Sequence, residues 1–228
     1  MTARSLRARV REEMTEEIKT VARRHLATHG ADLSMRAVAR DLDIVASALY
    51  RYFPNRDALL TALIIEAYEA LAAAATTAEA AVPRADLRGR WQAVWQAVRA
   101  WALAHPAEYG LLYGTPVPGY SAPPNTVAPA AAIVLLLSQI VADGGDRLAP
   151  IPVTVPDPVR DDLDRLIEGQ PMDIGEARLA RVFAGWTQLF GLISFEVFGR
   201  LDDTISARAA YFEHQSALMA ELVGLPPT

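Results

Sequence analysis

The sequence of 228 residues contains no cysteine, which excludes disulfide bonds and any metal or redox site built on thiolates. It also lacks a Gly-x-Ser-x-Gly elbow, a phosphate-binding glycine loop followed by lysine, and a His-Glu-x-x-His motif. His25 and His29 have a spacing that could hold a metal, but no third ligand lies between them, and a solvated helix end is favoured. We therefore expect a protein that is not an enzyme and has no metal or other cofactor.

Long hydrophobic runs are also missing. The longest apolar stretch, near residues 127–142, is too short for a membrane span and carries Gln139. The arginine-rich N-terminus lacks the apolar segment that a secretory signal needs. We therefore expect a cytoplasmic protein with no membrane partner, and 52% hydrophobic content over this length allows one sizeable domain and a small one.

Charge is divided unevenly along the chain. Residues 1–60 carry 11 basic against 8 acidic side chains, a net charge of +3, whereas the remainder carries 11 against 19, a net charge of −8. A basic head on an acidic body is the distribution expected when only one end faces phosphates. The arginines of the N-terminal arm either contact DNA or belong to a solvated tail. They are Arg4, Arg7, Arg9 and Arg11.

Residues 34–60 have the pattern of a helix-turn-helix motif. Ser34 can cap a short helix whose apolar positions recur three and four residues apart. Residues 41–44 interrupt this pattern, and a second short helix follows over residues 45–52. Asn55 can cap the helix after that. Two short helices joined by a tight turn, the second with small residues at its start, suit insertion into a DNA major groove.

The end of this motif is its most specific part. Leu-Tyr-Arg-Tyr-Phe at residues 49–53, followed by Arg56 where lysine is usual, resembles the DNA-binding domain of TetR-family transcriptional regulators over about residues 8–60. Asp43 stands where a turn glycine is usual, and Val45 stands where serine or threonine usually caps the recognition helix. Aspartate tolerates a left-handed backbone, so the turn can survive, whereas valine cannot cap.

The resemblance implies that the second helix of the motif enters a major groove. Arg36, Val45, Ala46 and Ser47 are then candidates near base edges. Tyrosine hydroxyls and arginines at the end of that helix are candidates for phosphate contacts. The residues expected at double-stranded DNA are Ser34, Arg36, Val45, Ala46, Ser47, Tyr50, Arg51, Tyr52 and Arg56.

Apolar periodicity predicts an all-α chain of about nine helices without strands. We expect a helix-turn-helix DNA-binding domain with a basic arm at residues 1–55, and a helical effector-binding and dimerisation domain at residues 56–228. A stretch rich in small residues, 76–83, marks a boundary between helices. Asp157 is predicted to cap a short helix, and Asp173 with Glu176 has the spacing of a capping box.

The last two helices are predicted from the capping box at Asp173 to about residue 198, and over about residues 204–223. The first is apolar around most of its circumference, and one domain of this size cannot bury all of that surface, so a second subunit is implied. In TetR-like proteins the corresponding pair forms a four-helix dimer bundle, which these helices resemble. Phe195 and Leu218 are the candidates for the dimer interface.

Residues 184–194 also resemble the C-terminal subtype known for a tryptophan followed by a His-Gly pair, with Phe190 in place of the histidine. Large aromatic residues recur at helical spacing through this half of the chain. We predict that they line an effector pocket, although a row of this kind can equally be core. The candidates are Trp91, Trp95, Tyr109, Tyr113, Phe183, Trp186 and Phe190.

These patterns predict a ligand-responsive transcriptional regulator, a repressor that binds a palindromic operator as a homodimer. A small, largely apolar effector would release it from DNA. The alternative is a helical binding or adaptor protein that has lost specific DNA binding, which Asp43 and Val45 favour; a cofactor-free helical enzyme is a more distant alternative. Salt-sensitive binding to the intergenic DNA beside its own coding sequence distinguishes the regulator from the adaptor.

Overall fold

The structure is a computed structural model that describes residues 3–29, 33–150 and 154–227. Over these residues the chain forms ten α-helices and two short 3-10 turns without any strand, which confirms the all-α prediction and gives one helix more than expected. The helices are α1 (Ala3–His29), α2 (Met35–Asp41), α3 (Ala46–Leu49), α4 (Arg56–Ala80), α5 (Leu87–Ala104), α6 (Pro106–Tyr113), α7 (Val127–Ala142), α8 (Asp157–Ile167), α9 (Glu176–Val197) and α10 (Arg208–Leu222).

The chain divides into two compact units. The head unit comprises residues 1–69 and 105–127, and the body unit comprises residues 70–104 and 128–228. The head unit takes in more of the chain than the 55 residues expected for a DNA-binding domain, because α6 packs against α1 and the loop after it joins the same unit.

The head unit has a single apolar core built from α1, α2, α3 and the beginning of α4. Ile18 and Ala22 of α1 are fully buried, as are Val38 of α2, Leu49 of α3 and Leu59 of α4. Full burial of an aliphatic side chain of Val, Leu or Ile size contributes about 1.5–3 kcal/mol. Leu49 therefore anchors the short helix α3 to the rest of the head.

A buried ionic cluster joins α1 to α4 in the same unit. Lys19 is only 6% exposed and contacts Glu16 and Glu66. Arg23 Nη2 donates to the other oxygen of Glu66 at 2.5 Å. Burial by itself lowers the pKa of Lys19, but the hydrogen bonds to the two carboxylates outweigh it and raise the pKa above its usual value. The lysine is therefore charged and paired, as a buried cation must be.

The body unit is built around α5, α9 and α10. Trp91 of α5 is fully buried and its Nε1–H donates to the Ser216 carbonyl oxygen of α10 at 3.2 Å. α9 approaches the same ring at Gly185, where an added Cβ would lie 3.0 Å from the Trp91 ring. Glycine at this position therefore lets the two helices pack closely. Arg90 of α5 is also buried and contacts Glu79.

Several helix ends differ from those predicted. α4 continues to Ala80, because the alanine-rich stretch that marked a boundary in the sequence is also an excellent helix former. α8 begins at Asp157 and α9 at Glu176, so the residues before them occupy the cap positions. In the described structure neither of these two caps has a side-chain hydrogen bond, so both predicted caps are wrong. α10 begins at Arg208, after a turn over residues 201–204.

Two helical segments are long and apolar enough to cross a membrane by length and composition alone, namely α4 and residues Pro124–Ala142. The second is 19 residues long because a 3-10 turn precedes α7, so the prediction that this stretch is too short is wrong. Both segments contribute fully buried side chains to the body unit, such as Leu71 and Leu137. Core helices of soluble proteins pass the same length test.

Candidate nucleic-acid interface

Three local features form the helix-turn-helix as the sequence predicted. The Ala37 amide donates to Ser34 Oγ at 3.3 Å, and the Ala58 amide donates to Asn55 Oδ1 at 2.8 Å, so both predicted caps are confirmed. Asp43 has a φ of 54°, and it is the only non-glycine residue with a positive φ in the described part of the chain. Its short polar side chain tolerates this conformation, and the turn between α2 and α3 therefore survives without glycine.

The recognition helix is shorter than predicted. α3 covers Ala46–Leu49, whereas residues 45–52 were expected. Residues 50–52 continue as turns, in which the Tyr52 amide donates to the Leu49 carbonyl at 2.9 Å. Val45 lies at the N-cap in an extended conformation, and this fully described helix start has no side-chain cap, as predicted. The Val45 side chain is 68% exposed.

A groove of about 370 Å³ lies between α2 and α3. It brings together three of the predicted base-edge candidates, which are Arg36, Val45 and Ala46. It also includes Arg40, which the sequence argument missed. Arg40 lies four residues after Arg36, so helical spacing places the two arginines on one face of α2, and this spacing could have identified it.

The remaining predicted DNA contacts lie on the surface of the head. Side chains of Ser34, Arg36, Ser47, Tyr50 and Arg51 are exposed, and those of Ala46, Tyr52 and Arg56 are half-buried. All of these residues belong to one compact unit, so the fold can hold them in a fixed arrangement. Their individual contacts to DNA remain predictions.

Arg11 has a role in the head that the sequence did not reveal. It lies within α1, where the sequence suggested a loose basic arm. Its Nη2 donates to the Arg51 carbonyl oxygen at 3.1 Å, and its guanidinium carbon lies 5.2 Å from the centre of the Tyr52 ring. Arg9 instead pairs with Glu13 on the surface of α1 at 3.3 Å. Side chains of Arg4 and Arg7 lie outside the described residues.

His25 also differs from expectation. Its Nε2 lies 2.8 Å from Asp41 Oδ2, and its side chain is only 11% exposed, so it is not a solvated helix end. The hydrogen bond with His25 is the main reason that the pKa of Asp41 is lowered. This contact joins α1 to the last residue of α2, directly before the turn. The side chain of His29 lies outside the described residues.

The predicted effector-pocket residues fall into the two units. Tyr109 and Tyr113 belong to the head unit, with ring centres 5.1 Å apart, and Tyr113 also contacts Tyr68 at 6.1 Å. Burial is the main cause that raises the pKa of Tyr113 well above its usual range. The sequence could not show this division, because α6 follows the body helix α5 directly along the chain.

The other five predicted pocket residues belong to the body unit and form two rows. Trp91 and Trp95 are fully buried with ring centres 5.9 Å apart, and Trp95 lies 5.6 Å from Phe212 of α10. These rings pack as core, which was the alternative left open by the sequence. The second row runs along α9 with edge-to-face contacts of 5.7 and 5.8 Å. It consists of Phe183, Trp186 and Phe190.

Several buried polar groups of the body unit have no hydrogen-bond partner among the described residues. Within the described residues, Trp95 Nε1, Trp186 Nε1 and Ser216 Oγ are buried and lack a hydrogen-bond partner. An unsatisfied buried group of this kind costs about 1–3 kcal/mol. Arg160 Nε, Arg178 Nη1 and Arg208 Nε of the same unit also lack a hydrogen-bond partner in the described structure, but Trp95 and Trp186 are the two of these that belong to the predicted effector-pocket residues.

The capped helix α2 and the short helix α3, joined by a tight turn and with Arg36 and Arg40 in the groove between them, have the geometry of a helix-turn-helix head that binds DNA. Comparison with known proteins gives the family. Residues 18–63 match the model of bacterial regulatory proteins of the tetR family, and residues 91–219 match the tetracyclin repressor-like C-terminal domain. The chain therefore belongs to the TetR family of transcriptional regulators. The Trp/His-Gly subtype of the C-terminal domain remains a prediction.

The similarity to known proteins extends over nearly the whole chain. The sequence is 36% identical over 222 residues to the HTH-type transcriptional regulator Rv1816 of Mycobacterium tuberculosis, covering 93% of each chain. The crystal structure of the regulatory protein SCO4313 superposes with a TM-score of 0.77 at 32% identity, covering 94% of this chain and 98% of that one. PfmR of Thermus thermophilus shares the fold, with a TM-score of 0.58 at 18% identity over 92% and 99% of the two chains.

Proposed function

We propose that this TetR-family regulator is a repressor that binds a palindromic operator as a homodimer and is released by a small effector. The observation that carries the DNA-binding part is the groove between α2 and α3, where Arg36 and Arg40 lie beside the exposed start of the recognition helix. Cations at a groove rim attract phosphates, and small residues beyond them allow close approach to base edges. A chromosome-binding bacterial regulator of this kind works in the cytoplasm.

The proposal of a homodimer is supported by exposed apolar side chains in the body unit. Phe195 and Phe198 at the end of α9 are 47% and 43% exposed, and Leu218 of α10 is 39% exposed. Isolated apolar residues are normal on a surface, but several on the two terminal helices favour an interface. A stable interface buries more than about 1,000 Å² in total. Two heads held by it could bind two operator half-sites at once.

The proposal of an effector is supported by buried polar groups without hydrogen-bond partners among the described residues, which lie beside aromatic rings in the body unit. Trp95 and Trp186 each present an indole N–H without a partner among the described residues. A largely apolar molecule that carries a hydrogen-bond acceptor, and few charges, would satisfy such a donor, although the core packing around the fully buried Trp95 would have to open to admit it. Such an effector releases DNA only if it binds more tightly to a state of the dimer that does not fit the operator.

The experiment that tests the function is a mobility-shift assay on the intergenic DNA beside the coding sequence. We expect salt-sensitive binding by the wild type. Ser47→Trp or Ala46→Trp should abolish it without loss of helicity or dimerisation, because the added ring holds α3 away from the base edges. Val159→Trp is the matched control, because it adds the same ring to an exposed position on α8 of the body unit and should still bind.

The same assay tests the alternative, a helical adaptor that has lost specific DNA binding. Val45 favours the adaptor because it cannot supply the cap or phosphate contact that serine or threonine would give. Absence of binding at low salt to this DNA, and to sites selected from random sequence, would support the adaptor. Unchanged affinity of Ser47→Trp would instead show that α3 does not enter the groove.

A further inference from the structure

The start of the recognition helix offers DNA mostly methyl groups. Arginine, lysine, asparagine and glutamine make the common two-point hydrogen bonds to bases, and none of them occurs between residues 45 and 50. Ser47 provides the only short hydroxyl there. Ala46 and Val45 provide only aliphatic carbon, so apart from the Ser47 hydroxyl any base contact at this end of α3 is apolar.

Val45 is the most exposed large apolar residue of the described chain, at 68%, and its position is specific. It lies at the N-cap of α3 and lines the same groove as Arg36 and Arg40. Its neighbour Ile44 is half-buried and packs against the head core, so the chain has an inward-facing aliphatic residue beside an outward-facing one. Val45 therefore contributes little to packing within the head.

The charge around Val45 indicates what contacts it. Arg36 and Arg40 line this groove together with one carboxylate, that of Asp43, so its charged lining is net positive, which favours a polyanion over a purely apolar protein partner. In the major groove of DNA the one apolar group on a base edge is the C5-methyl group of thymine. The groove thus combines two cations, of which Arg36 is also a predicted base-edge contact, with an isopropyl group that can meet a methyl group.

We propose that Val45 is a specificity-determining residue that reads the methyl group of one thymine in each operator half-site. The inference rests on the proposed DNA binding and adds the base that this position selects. Serine or threonine at the position would spend its hydroxyl on the helix cap or a phosphate. Valine replaces that contact with an apolar one, and part of the affinity becomes dependent on the base.

Deoxyuridine isolates the thymine methyl group, because it differs from thymidine only by that methyl and pairs in the same way. Operator sites are first selected from random double-stranded DNA with the full-length wild-type protein. Each thymine is then replaced by deoxyuridine in both half-sites together, and affinity is measured by fluorescence anisotropy. Burial of one methyl-sized group is worth about fourfold in affinity, so we expect one symmetric pair of replacements to weaken binding by about 15-fold.

Val45→Ala tests whether this methyl is read by Val45 itself. The variant should bind the thymine site more weakly than the wild type, and should lose most of the difference between thymine and deoxyuridine. Its stability should be unchanged because Val45 is exposed. Val159→Ala is the matched control, since Val159 is 45% exposed on α8 of the body unit, and it should keep the full difference.

The outcomes separate this inference from the proposed function. If no DNA is selected, the proposed function fails and the inference fails with it. If sites are selected but no thymine shows methyl dependence, DNA binding stands and the reading of thymine is overturned. Methyl dependence that persists in Val45→Ala would assign the contact to another side chain and overturn the role of Val45.

Discussion

Arg11 and Tyr52 form a cation–π pair in the head unit, with the guanidinium carbon 5.2 Å from the centre of the tyrosine ring. The same guanidinium donates to the Arg51 carbonyl oxygen, so one side chain of α1 holds two successive residues beyond the end of α3. Arg51 and Tyr52 are both predicted phosphate contacts. Arg11 is therefore a positioning residue for this part of the interface, besides adding positive charge to it.

Arg11→Ala should weaken binding to operator and to random DNA by a similar factor. An exposed cation–π contact contributes about 0.5–1 kcal/mol, which corresponds to about two- to fivefold in affinity for each subunit if the loss appears in binding. Arg11→Lys should restore charge but only part of the affinity, because the planar group that stacks and donates is lost. Fluorescence anisotropy measures both. Arg9→Ala is the control, and an equal loss in that variant would reduce the role of Arg11 to charge alone.

Arg56→Ala should flatten the dependence of log K on log salt by about one unit for each subunit of the dimer, because each phosphate contact releases about one counterion. Tyr52→Phe should weaken binding to specific and random DNA alike without this change in slope, because a hydroxyl carries no charge. Titrations at several salt concentrations give both values. A change in sequence preference with an unaltered slope would show that Arg56 lies at a base and not at a phosphate.

Phe195→Glu or Leu218→Glu should give monomers or aggregates and remove operator affinity. Both side chains are exposed in a single chain, and a carboxylate placed in a dimer seam would lose its hydration. Leu218→Glu is the sharper test, since the Arg200 guanidinium lies 5.7 Å from the centre of the Phe195 ring and could pair with a glutamate there. Light scattering and mobility shift measure the two effects. Val159→Glu places the same charge on an exposed apolar position of α8 and should leave a DNA-binding dimer. If Phe195→Glu or Leu218→Glu were monomeric and still bound the operator tightly, the proposed dimer would be contradicted.

Local chemistry explains which parts of this structure could be predicted. The caps at Ser34 and Asn55 and the left-handed turn at Asp43 each depend on a few neighbouring residues, and all three are confirmed. Arg11 and Arg51 are 40 residues apart in sequence, so their contact depends on how α1 packs against the rest of the head. No short-range pattern contains that information.

The assignment of each helix to the head or body unit could not be predicted from the sequence either, because it also depends on long-range packing. Periodicity shows that Tyr109 and Trp95 have buried faces, but it does not show that α6 belongs to the head unit and α5 to the body unit. The predicted helix starts were wrong where a proline or glycine lies next to the expected cap. At α8, for example, Pro156 occupies the cap position and Asp157 is the first helical residue. The chemistry of the recognition helix was visible, whereas its short length was set by the turn that follows it.

Trp91 and Trp95 offer a matched pair for the effector site. Both are fully buried on α5, but Trp91 Nε1–H has a carbonyl partner and Trp95 Nε1–H has none within the described residues. Trp91→Phe loses a net hydrogen bond of about 0.5–1.5 kcal/mol in addition to ring volume, whereas Trp95→Phe removes an unsatisfied donor. We therefore expect Trp91→Phe to lower the free energy of unfolding more than Trp95→Phe, as measured by urea denaturation.

Effector response should show the opposite order. If the indole N–H of Trp95 donates to a bound effector, Trp95→Phe should weaken the release of DNA by that effector while operator affinity stays near the wild-type value. A library of apolar molecules with and without a hydrogen-bond acceptor, screened by thermal shift, supplies the probe. Trp91→Phe should respond as the wild type does, because its N–H is already used by the Ser216 carbonyl. Equal responses in both variants would assign the tryptophan row to the core alone.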